Sequence, residues 1–228
     1  MNGVPISTIY APAALSLEIA LIATILALIT GGGLAWFFSG RRSLIATIFE
    51  GIITLPLVLP PVVLGFYLLL TLGQTGGVGQ FITRILKVNL IFTPAAAVIA
   101  ATVAALPIMY KAVKAFLEVV DPEVIKAAQL DGASRFKVLI FMEIPLAARG
   151  VFTGILLSFL RALGEFGATL MVAGNIPGRT QTLSLAIWGS VMGGDLVRAH
   201  ILTAVLAGIC LLVVFSMRFF DMERKSSV

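Results

Sequence analysis

Apolar residues in this chain come in long unbroken stretches, without the short periods that mark a half-buried strand or a surface helix. Five stretches, at about 12–38, 48–72, 93–115, 146–172 and 197–220, predict membrane-crossing helices. About 20 apolar residues at 1.5 Å each cover the roughly 30 Å of hydrocarbon in a bilayer. The second opens with "SLIATIFEGII", able to lie along the interface before Pro56, Pro60 and Pro61 redirect the chain. Prolines free backbone carbonyls that only neighbouring protein satisfies, so this segment is expected inside a bundle. A sixth crossing, here or in "GQFITRILKVNLIF", is the alternative count. Two further stretches, "GQTGGVGQFITRILKVN" and "GNIPGRTQTLSLAIWGSVMGGD", join glycine turns to short amphipathic helices expected to lie over or re-enter one membrane face. The fold class is therefore all-α: one polytopic bundle over residues 1–228, without an internal repeat.

A polar island interrupts this pattern. From Asp121 to Glu143 the chain carries seven charged residues. Asp121 is placed to cap a helix, Pro122 suits its first position, and Glu123 complements its positive end. Gly132 is placed to stop it in the left-handed conformation, after nine or ten residues. Val124, Ala127 and Ala128 share one small, smooth face at helical spacing. Ser134 is placed to cap a second helix running to Pro145. On the residues alone, two readings stay open: a loop helix packed on its own bundle, or a surface awaiting another protein.

Composition agrees with a membrane chain. The 228 residues are 59% hydrophobic and 12% charged, with a mean hydropathy of +1.08; soluble domains carry about 25% charge. Cys210 alone excludes an intramolecular disulfide, and His200 alone excludes a histidine-rich metal site. The net charge of +5 is scattered over short loops, which speaks against nucleic acid and for membrane orientation. One set of loops holds Arg41, Arg42, Lys111, Lys114, Lys126, Arg135, Lys137, Arg149, Arg218, Arg224 and Lys225; the other holds Arg84, Lys87, Arg179 and Arg198. The excess places the island and the C-terminus in the cytoplasm and the N-terminus outside. No cleaved signal peptide is expected at the N-terminus. The chain contains no G-x-x-x-x-G-K-[ST] phosphate loop.

The pattern Ala127-Ala128, Gly132, then Met142, Ile144 and Pro145 resembles the "EAA…G…I-x-LP" loop of ABC importer permeases. Lys126 stands where the name-giving glutamate would be, a charge reversal, and Met142 and Ile144 replace Ile and Leu. "LPLVLPPVVLGFYLL" (Leu55–Leu69) and "RALGEFGATLMVAGNIPGRTQTL" (Arg161–Leu183) resemble the molybdate branch of that family, which is related to the sulfate and tungstate branches. The resemblance implies a permease subunit of the prokaryotic cytoplasmic membrane that is not itself an enzyme. It implies a second copy of the chain, two ABC ATPase subunits carrying ATP and Mg, and an extracytoplasmic oxyanion-binding protein. No cofactor is expected on this chain. The loop at about 116–145 would couple to the ATPase, through Asp121, Pro122, Glu123, Lys126, Ala127, Ala128, Asp131, Gly132, Arg135 and Pro145.

Arg161 and Glu165 stand one helical turn apart inside the fourth stretch, where a charge costs roughly 2.5–3.5 kcal/mol to insert. The preferred reading is a structural or gating pair, with direct anion coordination as the alternative. Glu18 falls near the outer end of the first stretch. Gly31, Gly32 and Gly33, and the pair Gly189 and Gly193, suit close helix contacts. Asn175, Pro177, Gly178 and Arg179 are candidate binding-protein contacts, although a plain turn uses the same residue types. An ion-coupled secondary transporter would show repeated halves and a carboxylate relay, and an intramembrane hydrolase a nucleophile motif beside His200; the chain offers neither.

Overall fold

A computed structural model describes residues 5–40, 43–118 and 121–222. Arg41, Arg42, Arg224 and Lys225, which the charge asymmetry uses, lie outside these. The described residues are helical with no strand. Helix α1 (Ser7–Ala27) continues through a widened turn at Leu28–Gly32 into α2 (Gly33–Phe38), making one span of 32 residues. After α3 (Leu44–Val58), α4 (Pro61–Leu72) and the short α5 (Gly77–Leu86) comes α6 (Pro94–Leu117). The polar island supplies α7 (Pro122–Leu130) and α8 (Arg135–Val138), and a widened turn at Leu139–Glu143 leads into α9 (Ile144–Leu163). Helices α10 (Gly167–Ala173), α11 (Leu183–Met192) and α12 (Leu196–Met222) complete the chain.

Helix α6 is the axis of the bundle, and its sequence explains why. Thr93 Oγ1 accepts from Ala96 N–H at 3.4 Å and Pro94 fills the first turn, which sets its start. Ala96, Ala100 and Ala104, and beside them Ala97, Ala101 and Ala105, form two ridges of methyl groups at the spacing of four, all buried. Helices α1, α9 and α10 close on this smooth surface. At Gly31 a Cβ would lie 3.0 Å from Leu106 O, and at Gly154 2.6 Å from the Ala112 Cβ, so both glycines are needed for close approach. Gly33 meets nothing within 4 Å. Among the described residues Gly193 meets only its own helix, and Gly189 faces Asn175 of the adjoining loop.

Three helices are long and apolar enough to cross a membrane, and five segments qualify if each bent pair is one span. The second apolar stretch is therefore no straight crossing: α3 and α4 meet at 115°. Pro60 and Pro61 force their predecessors out of the helical region, and Leu59 and Pro60 accordingly take ψ 138° and 136°, whereas Pro56 stays inside α3 and does not redirect the chain. The fourth stretch also departs from expectation. The helix after Ser134 does not stop at Pro145 but runs on into α9, with a 79° bend between Arg135–Leu146 and Gly150–Leu163, and the helix breaks again between Leu163 and Gly167. Pro145 has no N–H to give to the continuing helix, and the widened turn at Leu139–Glu143 lies directly before α9.

Helices α4 and α10 pack side by side at these breaks. A Cβ on Gly65 would lie 2.7 Å from Ala168 Cα, and one on Gly167 2.9 Å from the Pro61 Cβ. Helix α11 is not amphipathic at a surface, as expected, but an apolar helix with Leu183, Leu185, Ala186 and Ser190 buried. Ser16 Oγ of α1 accepts from Leu183 N–H at 2.7 Å, which pins the first turn of α11 to the bundle. Span α12 has only 6% of its apolar window buried, against 56% for α6, so it forms an outer wall.

Candidate functional site

The coupling candidates occupy an arm that leaves the bundle after α6 and rejoins it at α9. Asp121 Oδ1 accepts from Glu123 N–H at 2.8 Å, capping α7 behind Pro122. At the other end Gly132 has φ +90°; its N–H donates to Gln129 O at 3.1 Å, and Ala133 N–H to Ala128 O at 3.0 Å. These two bonds close a Schellman stop, whose left-handed residue tolerates no Cβ without strain. Ser134 Oγ then accepts from Lys137 N–H at 3.3 Å and starts α8. Nine residues stand as a helix between two written ends, although a free helix of that length is marginal.

Helix α7 packs on α8 and leaves most of its own surface open. Glu123, Val124, Lys126, Ala127, Gln129 and Asp131 are exposed and Ala128 is half-buried. Leu130 is 88% exposed, and Phe136 and Phe141 of the following turns stand out at 62% and 75%. Arg135 and Pro145 are exposed as well. Sequence reasoning singled out the small face of α7 and missed this apolar fringe, because Leu130, Phe136 and Phe141 also suit a buried loop.

Two contacts tie the arm's surroundings to the spans. Arg135 Nη2 donates to Trp36 O at 3.3 Å, and its guanidinium lies 5.3 Å from the Trp36 ring centroid. Lys114 Nζ donates to Glu50 Oε2 at 2.6 Å, joining α6 to α3, with Glu118 4.0 Å away. Both contacts line a cleft of about 870 Å³, bounded by Trp36, Thr47, Lys126, Gln129 and Glu143. Burial pushes the Glu143 carboxyl above its ordinary value, and the Arg135 charge opposes the rise. No spacing in the sequence could have paired Arg135 with Trp36, 99 positions away.

The intramembrane pair forms as its spacing predicts. Arg161 Nη1 donates to Glu165 Oε2 at 2.6 Å. Glu165 Oε1 accepts from Ala168 N–H at 2.9 Å, so the same carboxylate caps α10 across the break. The Glu165 side chain is 1% exposed and that of Arg161 27%. Glu18 is exposed and no part of this pair.

The loop from Gly174 to Thr182 is not a plain turn. Thr180, Gln181 and Thr182 are buried. Ile176 N–H donates to Thr180 Oγ1 at 3.2 Å, that hydroxyl reaches Gly174 O at 3.4 Å, and Gln181 Nε2 donates to Asn175 Oδ1 at 2.9 Å. Pro177, Gly178 and Arg179 form an exposed tip on this base, whereas Asn175 is half-buried inside it. No group of three or more His, Cys, Asp or Glu residues able to hold a metal occurs among the described residues.

A bundle of broken, glycine-packed spans with a doubly capped polar arm is the architecture of an importer permease. The chain belongs to the family of binding-protein-dependent transport system inner membrane components, whose model matches residues 23–225. It is thus a multi-pass protein of the cytoplasmic membrane, and its relatives are permease subunits of ABC transporters. The putative molybdenum transport system permease protein YvgM of Bacillus subtilis (strain 168) is 42% identical over 227 residues, 99% of this chain and 97% of that protein. The molybdenum transport system permease protein ModB of Escherichia coli (strain K12) is 36% identical over 208 residues, 87% of this chain and 89% of that one. In fold the chain resembles a subunit of a bacterial ABC transporter that imports the acidic polysaccharide alginate, with a TM-score of 0.73 at 15% identity over 96% of this chain and 79% of that one.

Proposed function

We propose that this chain is the permease of an ATP-driven oxyanion importer, with molybdate as the transported anion and tungstate and sulfate as its chemical neighbours. Two copies form the pathway, as a single permease domain each. The N-terminus lies outside and the C-terminus in the cytoplasm, so that the 116–145 loop meets a separate ATPase. The exposed arm carries this reading: a short helix fixed at both ends leaves Leu130 and Ala127 exposed, with Ala128 half-buried beside them. An exposed apolar group on a polar segment outside the spans marks a contact with another protein. The names of the relatives supply the anion.

The mechanism is alternating access, in which ligands shift the balance between two global states by binding one better. ATP on the partner subunits draws the two ATPases together and carries the arms with them. Arg135 on Trp36 and Lys114 on Glu50 pass that displacement to the first span and to α3. The exposed tip Pro177–Arg179, rigid on its buried threonines, receives the anion-loaded binding protein. The test is reconstitution of the permease with its ATPase and binding protein in proteoliposomes. Molybdate uptake that requires ATP and the binding protein is expected, with tungstate and sulfate as competitors. Uptake driven by an ion gradient without ATP would overturn the assignment.

A further inference from the structure

The geometry points to Arg161 as a direct contact for the oxyanion during its passage, with Glu165 as the residue that positions it; this rests on the function proposed above. Arg161 lies about 16 Å along the helix from Gly150, well within a span. Its guanidinium carries five N–H donors. Glu165 engages one Nη1 donor, and among the described residues none of the others has a partner. Free donors of a charged group facing lipid are costly, and intramembrane arginines accordingly turn toward the bundle interior or a water-filled path. The side chain is 27% exposed although its carboxylate partner is 1% exposed, so the surface the pair leaves open belongs to Arg161.

That asymmetry suits a tetrahedral dianion. A planar fork of N–H groups matches two oxygens at once, which a single ammonium does not. Glu165 cannot swing away to make room, because its second oxygen caps α10 at Ala168. The anion therefore adds to the free donors while the carboxylate stays. The bound carboxylate lowers the local positive field, and a transport pathway needs this: a contact must favour entry yet release its ion. An arginine without Glu165 would hold a dianion too long. The neutral pair makes a transit contact in place of a storage site.

The experiment uses the reconstituted permease–ATPase complex and radioactive molybdate, with retention measured without binding protein and transport measured at saturating binding protein. Glu165→Gln keeps an oxygen for the Ala168 N–H but removes the charge. It is expected to retain molybdate about tenfold more tightly than the wild type and to lower the maximal transport rate. The double variant Arg161→Gln/Glu165→Gln, which leaves no buried charge unpaired, is expected to lose that retention. Wild-type complex that transports while Glu165→Gln shows unchanged retention would overturn the contact and leave the pair a gate, whatever happens to the rate. Wild-type complex that moves no oxyanion at all would overturn the proposed function instead.

Discussion

The arm between Asp121 and Glu143 and the loop between Gly174 and Thr182 are both polar islands in an apolar chain, and they solve opposite problems. The loop turns its polar groups inward: Thr180 is fully buried, and its hydroxyl holds both Ile176 N–H and Gly174 O. The arm turns its apolar groups outward, with Leu130 at 88% exposure. A buried polar group that has found its partners is there for shape, because leaving it unpaired is what costs. An exposed apolar fringe on a fixed helix has not found its partner among the described residues. The first region is finished by its own chain; the second, on the function proposed above, is finished by another protein.

The largest effect that breaks this comparison is on the arm. Leu130→Asp touches an exposed position, so thermal unfolding of the isolated permease should stay within about 0.5 kcal/mol of the wild type. Oxyanion-stimulated ATP hydrolysis by the assembled complex should nonetheless fall about tenfold or more, as for a central interface anchor. A variant that unfolds early yet couples normally would reverse the assignment of the two islands. Next comes Thr180→Val, which keeps the shape but leaves Ile176 N–H without its acceptor; a loss of about 1–3 kcal/mol in permease stability is expected. ATPase docking, read by copurification, should be unchanged.

The smallest effect concerns Glu143, whose carboxyl is raised by burial. A group that binds its proton more tightly when folded stabilises the fold at low pH, and that contribution is lost as pH rises past its folded value. Glu143→Gln should therefore raise Tm slightly at neutral pH and leave it unchanged below the ordinary carboxylate range. A rise at acid pH instead would place the proton elsewhere.

Much of the arm was legible in the sequence because its signals are local. Asp121, Gly132 and Ser134 bond to backbone groups two or three residues away, and Pro122 takes the first helical position, as the sequence predicts. The same holds for Arg161 and Glu165, one turn apart. The apolar stretches likewise placed the spans, since lipid demands length and hydrophobicity from any segment that crosses it. The bends were harder to see. Pro60 and Pro61 announce a break, but its 115° angle is visible only in the folded bundle, where Gly65 and Gly167 let α4 and α10 touch.

Contacts between distant segments belonged to the tertiary structure alone. Arg135 meets Trp36, Lys114 meets Glu50, and Leu183 N–H meets Ser16 only because α6 gathers the spans around its alanine ridges. Period and capping are properties of neighbouring residues and can be read along a line. Which donor finds which acceptor across the bundle depends on how closely helices approach, and small residues on both partners set that distance together. The sequence by itself determined that this protein crosses the membrane and carries a capped, polar arm; packing decided that the arm stays open and that the loop from Gly174 to Thr182 closes on itself.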